Sequence, residues 1–275
     1  MALISVGNTR TRVAKAFGNE LEPSRVFENT DESRGAIAKA VVEALGEADA
    51  DGRVVIASVN DAVAGRIEAA LREAGLEPLK FGRDVPVPIV TSLPDESTVG
   101  TDRLLDALGA YARSKQACVV IDAGTAITVD FVDGEGTFHG GAIAPGVRMM
   151  LRAMHEQTAA LPEVALSPDL LPARPATEDG PLGAPFGKNT SQAMAIGAVS
   201  AARGLAHELI DRYAEFYQGY PRVVATGGDA PLLFEHDGLV EVIVPDLTLL
   251  GMLEAIKVLE QIDLSGDDEP ETERS

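Results

Sequence analysis

The chain has 275 residues, 45% hydrophobic and 24% charged, so it can bury a sizeable core and is neither a disordered polyelectrolyte nor a repetitive fibre. Its 23 basic and 43 acidic residues leave a formal net charge of −20, a field that repels phosphodiester backbones and anionic lipid surfaces and argues against nucleic-acid or membrane partners. A single cysteine, Cys118, excludes an internal disulfide and a cysteine-rich zinc site, in keeping with a reducing compartment.

Taken in chain order, the opening Met1-Ala2-Leu3-Ile4-Ser5-Val6-Gly7 lacks the charged and apolar regions of a secretion signal, and no apolar run approaches the ~20 residues that span a bilayer. A cytoplasmic protein is expected. Val- and Ile-rich runs then alternate with longer amphipathic segments, as in an α/β chain. Residues 2–6 and 11–17 read as strands joined by the turn Gly7-Asn8-Thr9-Arg10, and residues 53–58 as a buried strand between helices at 32–45 and 62–73. Pro86, Pro88 and Pro94 deny a helix to residues 81–98, because proline lacks the amide donor and clashes with the preceding turn; an extended surface segment is expected there. A helix follows at 102–112.

The second half opens as the first does. Strands at 117–121, 126–132 and 137–143 are separated by Asp122-Ala123-Gly124-Thr125 and Asp133-Gly134-Glu135-Gly136. Ser5-Val6-Gly7-Asn8-Thr9 and Asp122-Ala123-Gly124-Thr125 look like one element used twice, which suggests two similar halves with a cleft between them. Helices are expected at 147–160, 190–217 and 247–262, a Pro- and acid-rich loop at 162–187, and strands at 222–225 and 240–243 around the turn Thr226-Gly227-Gly228. The acidic end, residues 263–275, has almost nothing apolar to bury and reads as a disordered tail. The domains expected are residues 1–114 and 115–262.

Glycine and threonine turns after buried strands let backbone amides approach phosphate oxygens, since glycine has no Cβ in the way and the hydroxyl adds a donor. Gly7-Asn8-Thr9, Gly124-Thr125 and Thr226-Gly227-Gly228 are three such turns. Each alone could simply close a turn; together, and without a P-loop or a Gly-x-Gly-x-x-Gly pattern, they favour another kind of nucleotide clamp. Phosphoryl transfer to a hydroxyl needs a carboxylate to accept its proton. Asp102, in Gly100-Thr101-Asp102-Arg103, is a candidate, although an acid in a first helical turn also serves the helix dipole. Arg103 suits an anionic substrate group or a surface carboxylate. Asp122 ends a buried strand, where a carboxylate calls for a cation or strong donors. The four histidines, His139, His155, His207 and His236, show no metal-ligand spacing and support no hydrolase triad.

Over residues 1–260 this set of motifs resembles the type III pantothenate kinases, relatives of the acetate and sugar kinases, Hsp70 and actin. The resemblance is carried by Gly7-Asn8-Thr9, Gly100-Thr101-Asp102-Arg103, Asp122 to Asp130, Gly140 to Gly146, Gly187-Lys188-Asn189-Thr190 and Thr226-Gly227-Gly228. It implies two ribonuclease-H-like, actin-like ATPase domains of mixed sheets with a cleft between them, and ATP-dependent phosphorylation of pantothenate in the first step of coenzyme A synthesis. The ATP contacts it implies are Ser5, Val6, Gly7, Asn8, Thr9, Arg10, Thr11 and Arg12, then Thr125, then Thr226, Gly227 and Gly228. Asp102 matches the proton acceptor. Leu93, Gly100, Thr101, Asp102, Arg103 and Thr190 fall at substrate-contacting positions, with Arg103 facing the substrate carboxylate. Asp122 matches the ligand of an activating K⁺ or NH4⁺, Mg²⁺ accompanies ATP, and the assembly implied is a homodimer built by the helices at 147–160 and 190–217.

Two positions depart from the family pattern: Ser5 stands where an Asp is usual, and Leu93 where a Tyr is usual. A hydroxyl at position 5 adds no charge to the phosphate site. These departures keep two alternatives open, a nucleotide- or ligand-binding regulator of weakened activity and a kinase for another small hydroxy-acid.

Overall fold

The computed structural model of the chain describes residues 1–46, 52–172 and 185–266. It divides into two compact units, one made of Met1–Lys115, Gly134–Phe138 and the chain from Asp246 onward, the other of Gln116–Asp133 and His139–Pro245.

In the first unit β1 (Ala2–Val6) runs antiparallel to β2 (Arg10–Phe17), pairing Ser5 with Arg12 and Val6 with Thr11. Two short strands that the sequence reading did not anticipate, β3 (Glu20–Leu21) and β4 (Arg25–Glu28), both pair with β2. There follow α1 (Ser33–Leu45), β5 (Val54–Ser58), α2 (Asp61–Glu73), the short β6 (Pro78–Lys80) and α3 (Thr101–Ser114). The sheet order is β3-β2-β1-β5-β6, with β5 parallel to β1 and β6 parallel to β5. The near-continuous apolar runs of β1 and β5, each with one serine, suit central strands covered on both faces. Alternation along them sorts the core. Ile4, Val6, Val13 and Ile56 pack on Ile37 and Val41 of α1 and Ile67 and Leu71 of α2, while Leu3, Ala14, Val55 and Ala57 share a second layer with Leu105 and Leu108 of α3. Asn60 caps α2, its side chain accepting from Val63 N at 3.2 Å.

The second unit contains β7 (Cys118–Ala123), β8 (Ala126–Val132), β9 (Phe138–Pro145, whose first residue belongs to the first unit), α4 (Val147–Glu156), α5 (Thr190–Tyr217), β10 (Arg222–Thr226), α6 (Ala230–Phe234) and β11 (Val242–Ile243). Its sheet order is β9-β8-β7-β10-β11, with β7 and β8 antiparallel and β10 and β11 added in parallel. This repeats the arrangement of the first unit: an antiparallel pair, a further strand beyond its second member, and two parallel strands beyond its first. Both sheets are therefore mixed and ribonuclease-H-like, and Ser5 and Asp122 hold matching places in them. Val119, Ile121, Val129 and Phe131 turn towards Leu151 of α4, Ala198 and Ala202 of α5 and Leu233 of α6.

Several boundaries differ from expectation. Helix α4 stops at Glu156 rather than reaching residue 160, because Thr158 Oγ1 donates to Met154 O at 2.8 Å and accepts from Leu161 N at 3.3 Å, turning the chain just before Pro162. The segment 81–98 is extended apart from a turn at residues 82–84 and a 3-10 turn at Glu96–Thr98, but it is not confined to the surface: Phe81 is buried, and Val85, Val87 and Ile89 pack on the core. In the loop 162–187, residues 173–184 lie outside those described; Val164, Leu166 and Leu171 pack on the second unit's core.

The last helix, α7 (Leu247–Gly266), belongs to the first unit, whereas a division of the sequence into halves gives it to the second domain. Its Leu249, Met252, Leu253 and Ile256 complete the layer that contains α3. The two helix backbones meet at glycines: a Cβ on Gly251 would overlap Leu105 O, and one on Gly109 would stand 3.0 Å from Gly251 N. Helix α7 also takes in residues 263–266 of the expected disordered tail; the remainder, 267–275, lies outside the described residues.

Candidate active site

The turn after β1 is shaped by its own backbone and by one side chain from β4's end. Gly7 N donates to Arg10 O at 2.9 Å, and a Cβ on Gly7 would stand 3.1 Å from that oxygen. Asn8, Thr9 and Arg10 are exposed. Behind them Asn29 donates through Nδ2 to Gly7 O at 2.8 Å and through its backbone N to Thr9 O at 2.9 Å, and its Oδ1 accepts from Thr11 Oγ1 at 2.7 Å. Residues 5–12, which the family resemblance treats as one ATP-binding stretch, thus differ in exposure. The turn faces outward, whereas Val6 and Thr11 are buried and Arg12 is ion-paired with Asp246, which also accepts from Ser24 Oγ at 2.8 Å.

Gly100 caps α3, and Asp102 lies in its first turn, where Asp102 Oδ1 accepts from Arg103 N at 2.8 Å. A Cβ on Gly100 would come within 2.6 Å of that oxygen, so the bare glycine is what lets the carboxylate fold back over the helix start. The same Cβ position lies 3.8 Å from Val59 Cγ1, and Val59 N donates to Val6 O at 3.1 Å. The head of α3 therefore sits at the carboxyl ends of β1 and β5, the end from which the Gly7 turn also projects. Open α/β sheets bind ligands at such ends.

The Arg103 guanidinium lies over the Phe138 ring, 5.7 Å from its centroid. Phe138 is fully buried and bonds the segment before α3, its N donating to Val90 O at 2.8 Å and its O accepting from Ser92 N at 3.0 Å. One aromatic residue thus fixes both Arg103 and the stretch that leads to Leu93, which is half-buried. Thr101 opens α3 between Gly100 and Asp102.

In the second unit the chemistry gathers around the end of β7. Asp122 faces Thr128 on β8 and Thr226 on β10 in the sheet register. Gly124 N donates to Ala126 O at 3.0 Å, closing the turn as Gly7 does in the first unit. Gly227 has φ +93°, and a Cβ there would overlap Asp122 Oδ1 and Ala123 O. Only glycine combines that backbone with that proximity. Gly146 N donates to Thr125 O at 3.0 Å, so α4 begins on the Thr125 turn. Beyond Gly228, Asp229 is buried, donates through its N to Ala123 O at 2.9 Å and pairs with Arg148 of α4 at 3.0 Å. Asp122, Gly124, Thr125, Thr226 and Gly227 are therefore brought together. Thr190 is the first residue of α5. Asn189 caps that helix by accepting from Gln192 N at 2.9 Å, and a Cβ on Gly187 would lie 2.5 Å from Ala193 N, which explains the Gly187-Lys188-Asn189 run as a helix start.

Asn29, Phe138, Arg148, Asp229 and Asp246 had no motif to announce them, since each acts through a partner distant in sequence. Three of the histidines have structural partners: His139 contacts Asp133 at 2.7 Å, His207 contacts Asp237 at 2.8 Å and His155 Nδ1 lies 2.8 Å from Leu161 O. Among the described residues no group of three or more His, Cys, Asp or Glu could hold a metal ion, and no helix is long and apolar enough to cross a membrane.

The model of the Type III pantothenate kinase family matches residues 1–212. The chain belongs to the type III pantothenate kinase family. It is 37% identical over 215 residues to a type III pantothenate kinase of Rhodospirillum rubrum, covering 77% of this chain and 78% of the relative. A type III pantothenate kinase of Syntrophotalea carbinolica is 31% identical over 260 residues, covering 92% and 96%. The crystal structure of a conserved protein described as a Baf family transcriptional activator from Campylobacter jejuni superposes with a TM-score of 0.56 at 17% identity, covering 95% of this chain and 100% of that one. That likeness speaks for the fold alone.

Proposed function

We propose that the chain transfers the γ-phosphoryl group of ATP to pantothenate, giving 4′-phosphopantothenate and ADP, the first step of coenzyme A synthesis. The observation that carries this reading is the placement of Asp102 at the head of α3, at the same end of the sheet as the Gly7 turn, in a chain of this family. Phosphoryl transfer asks a protein mainly for positioning and charge. The Asp102 carboxylate, oriented by its bond from Arg103 N, takes the proton of the pantothenate primary hydroxyl as its oxygen attacks the γ-phosphorus in line and ADP departs. Arg103, its guanidinium over the Phe138 ring, offers its donor fork to the pantothenate carboxylate, with Leu93, Gly100, Thr101 and Thr190 as the further substrate contacts. The exposed face of the Gly7-Asn8-Thr9 turn, and Thr125 with Thr226, Gly227 and Gly228, receive ATP.

Asp122 fits a monovalent cation. One carboxylate beside the carbonyl-rich turn Ala123 to Thr125 gives the oxygen donors K⁺ or NH4⁺ takes, without the accumulated negative charge that an all-protein site for a divalent ion needs. Such an ion would supply positive charge near the phosphates. Ser5 gives Mg²⁺ a hydroxyl and no charge, so Mg²⁺ arrives on the ATP phosphates rather than on a protein carboxylate at that strand end. A homodimer fits the exposed Phe216 and Tyr220 at the end of α5, and a cytoplasmic location fits the buried free thiol of Cys118; sedimentation velocity and cell fractionation test these.

The deciding experiment is an assay for 4′-phosphopantothenate with and without K⁺, on wild type and Asp102→Asn. We expect K⁺-dependent product with wild type and a loss of about two to four orders of magnitude in kcat in the variant, which keeps the shape but not the base. No product from folded wild type at saturating ATP and pantothenate would overturn the reading.

A further inference from the structure

We infer that Asn29 is a positioning residue for nucleotide binding, holding the Gly7-Asn8-Thr9 turn in the shape that receives phosphate; the inference rests on the kinase reading of that turn. Asn29 lies just past β4, at the point where pairing with β2 ends in the Arg10–Glu28 register. Three bonds issue from this one residue: Nδ2 to Gly7 O at 2.8 Å, backbone N to Thr9 O at 2.9 Å, and Oδ1 from the buried Thr11 hydroxyl at 2.7 Å. The first two occupy carbonyls on both sides of Asn8. In a trans peptide the N–H points away from the C=O, so with Gly7 O and Thr9 O drawn back to Asn29 the amides of Asn8 and Arg10 face the other way, and outward amides are what an anion needs. The Thr11 bond fixes the orientation of the amide, since a carboxamide whose oxygen accepts from Thr11 must present its NH2 to Gly7 O. The turn in the second unit has different backing, with α4 starting on Thr125 and Asp229 N bonded to Ala123 O; in the first unit an amide side chain has the corresponding task.

Asn29→Ala removes the side-chain donor and acceptor together, leaving the Gly7 carbonyl and the buried Thr11 hydroxyl without their partner. The expected result is a rise of about tenfold in KM for ATP, with kcat and KM for pantothenate within about twofold of wild type. Asn29→Asp, nearly isosteric, keeps the acceptor for Thr11, loses the donor to Gly7 O and adds a negative charge behind the turn; it should show a selective rise at least as large and serves if the alanine variant does not fold. Calorimetric titration of ATP, which needs no turnover, runs beside the kinetics. If wild type binds ATP but forms no phosphopantothenate, the kinase reading fails while weaker ATP binding by the variants still supports the role of Asn29. Equal ATP affinity in folded wild type and variants would overturn that role. So would a fall in kcat and in affinity for both substrates together, parallel to a lowered thermal midpoint, which is the mark of a residue that only supports the fold. Absence of ATP binding by wild type would overturn both.

Discussion

At the residue scale, environment decides what each polar group does. Burial pushes the Cys118 thiol up to about 12, so at neutral pH it carries no thiolate, the reactive form. A thiol reagent such as Ellman's should leave the native protein unlabelled at pH 8 and titrate one thiol per chain after denaturation; rapid labelling of native protein would contradict the buried placement. Ser5 and Arg12 are cross-strand partners whose side chains share a sheet face. Arg12 already pairs with Asp246. A carboxylate introduced by Ser5→Asp would add charge at the strand end where the Gly7 turn begins, and we expect the Mg²⁺ concentration for half-maximal activity to fall by about threefold or more. An unchanged Mg²⁺ titration would mean that position 5 does not bear on the metal-nucleotide complex.

At the element scale, the helix that carries Asp102 is only as well placed as the helix behind it. Helices α3 and α7 approach so closely because Gly109 and Gly251 lack side chains at the contact. A valine at position 251 cannot be accommodated by a side-chain rotation, because the obstruction is the Leu105 carbonyl of the backbone; α7 must move. We expect Gly251→Val to lower stability by about 2–4 kcal/mol in urea unfolding, with loss of kinase activity at temperatures where the chain remains folded. Substitution at the solvent-open Gly204, where a Cβ meets nothing within 4 Å, is the control: in mid-helix, Gly204→Ala should be neutral or stabilising by about 0.5–1 kcal/mol.

At the scale of the whole molecule, the order of the sequence and the order of the fold part company at the C-terminus. The first unit closes only when the chain from Asp246 returns to it. Ending the chain at Pro245 would uncover Leu3, Val55, Leu105 and Leu108, which α7 covers with Leu249, Met252, Leu253 and Ile256, and would free Arg12 of its ion pair with Asp246. Such a truncation should leave the first unit without protected amides in hydrogen exchange, because each large apolar side chain it uncovers forfeits about 1.5–3 kcal/mol and a domain is stable by only about 5–15 kcal/mol. Full protection of β1 in the truncated chain would show that α7 is dispensable.

Much of this protein is legible before any coordinates. The Val- and Ile-rich runs at β1, β5, β7 and β10, the glycine turns at Gly7, Gly124 and Gly227, and the Gly100-Thr101-Asp102-Arg103 segment announce themselves, because they depend on hydrophobic period and backbone freedom, which are local properties. The repeated use of one strand-turn-strand element was also visible from Ser5 to Thr9 and from Asp122 to Thr125, and the two sheets share a strand order accordingly. Strands of two to four residues such as β3 and β4 carry too short a pattern to be read. The return of α7 to the first unit, the clamp of Asn29 on the Gly7 turn and the support of Arg103 by Phe138 were decided only by tertiary structure. Their partners are far apart in the chain, and no propensity within a window says which distant groups will meet.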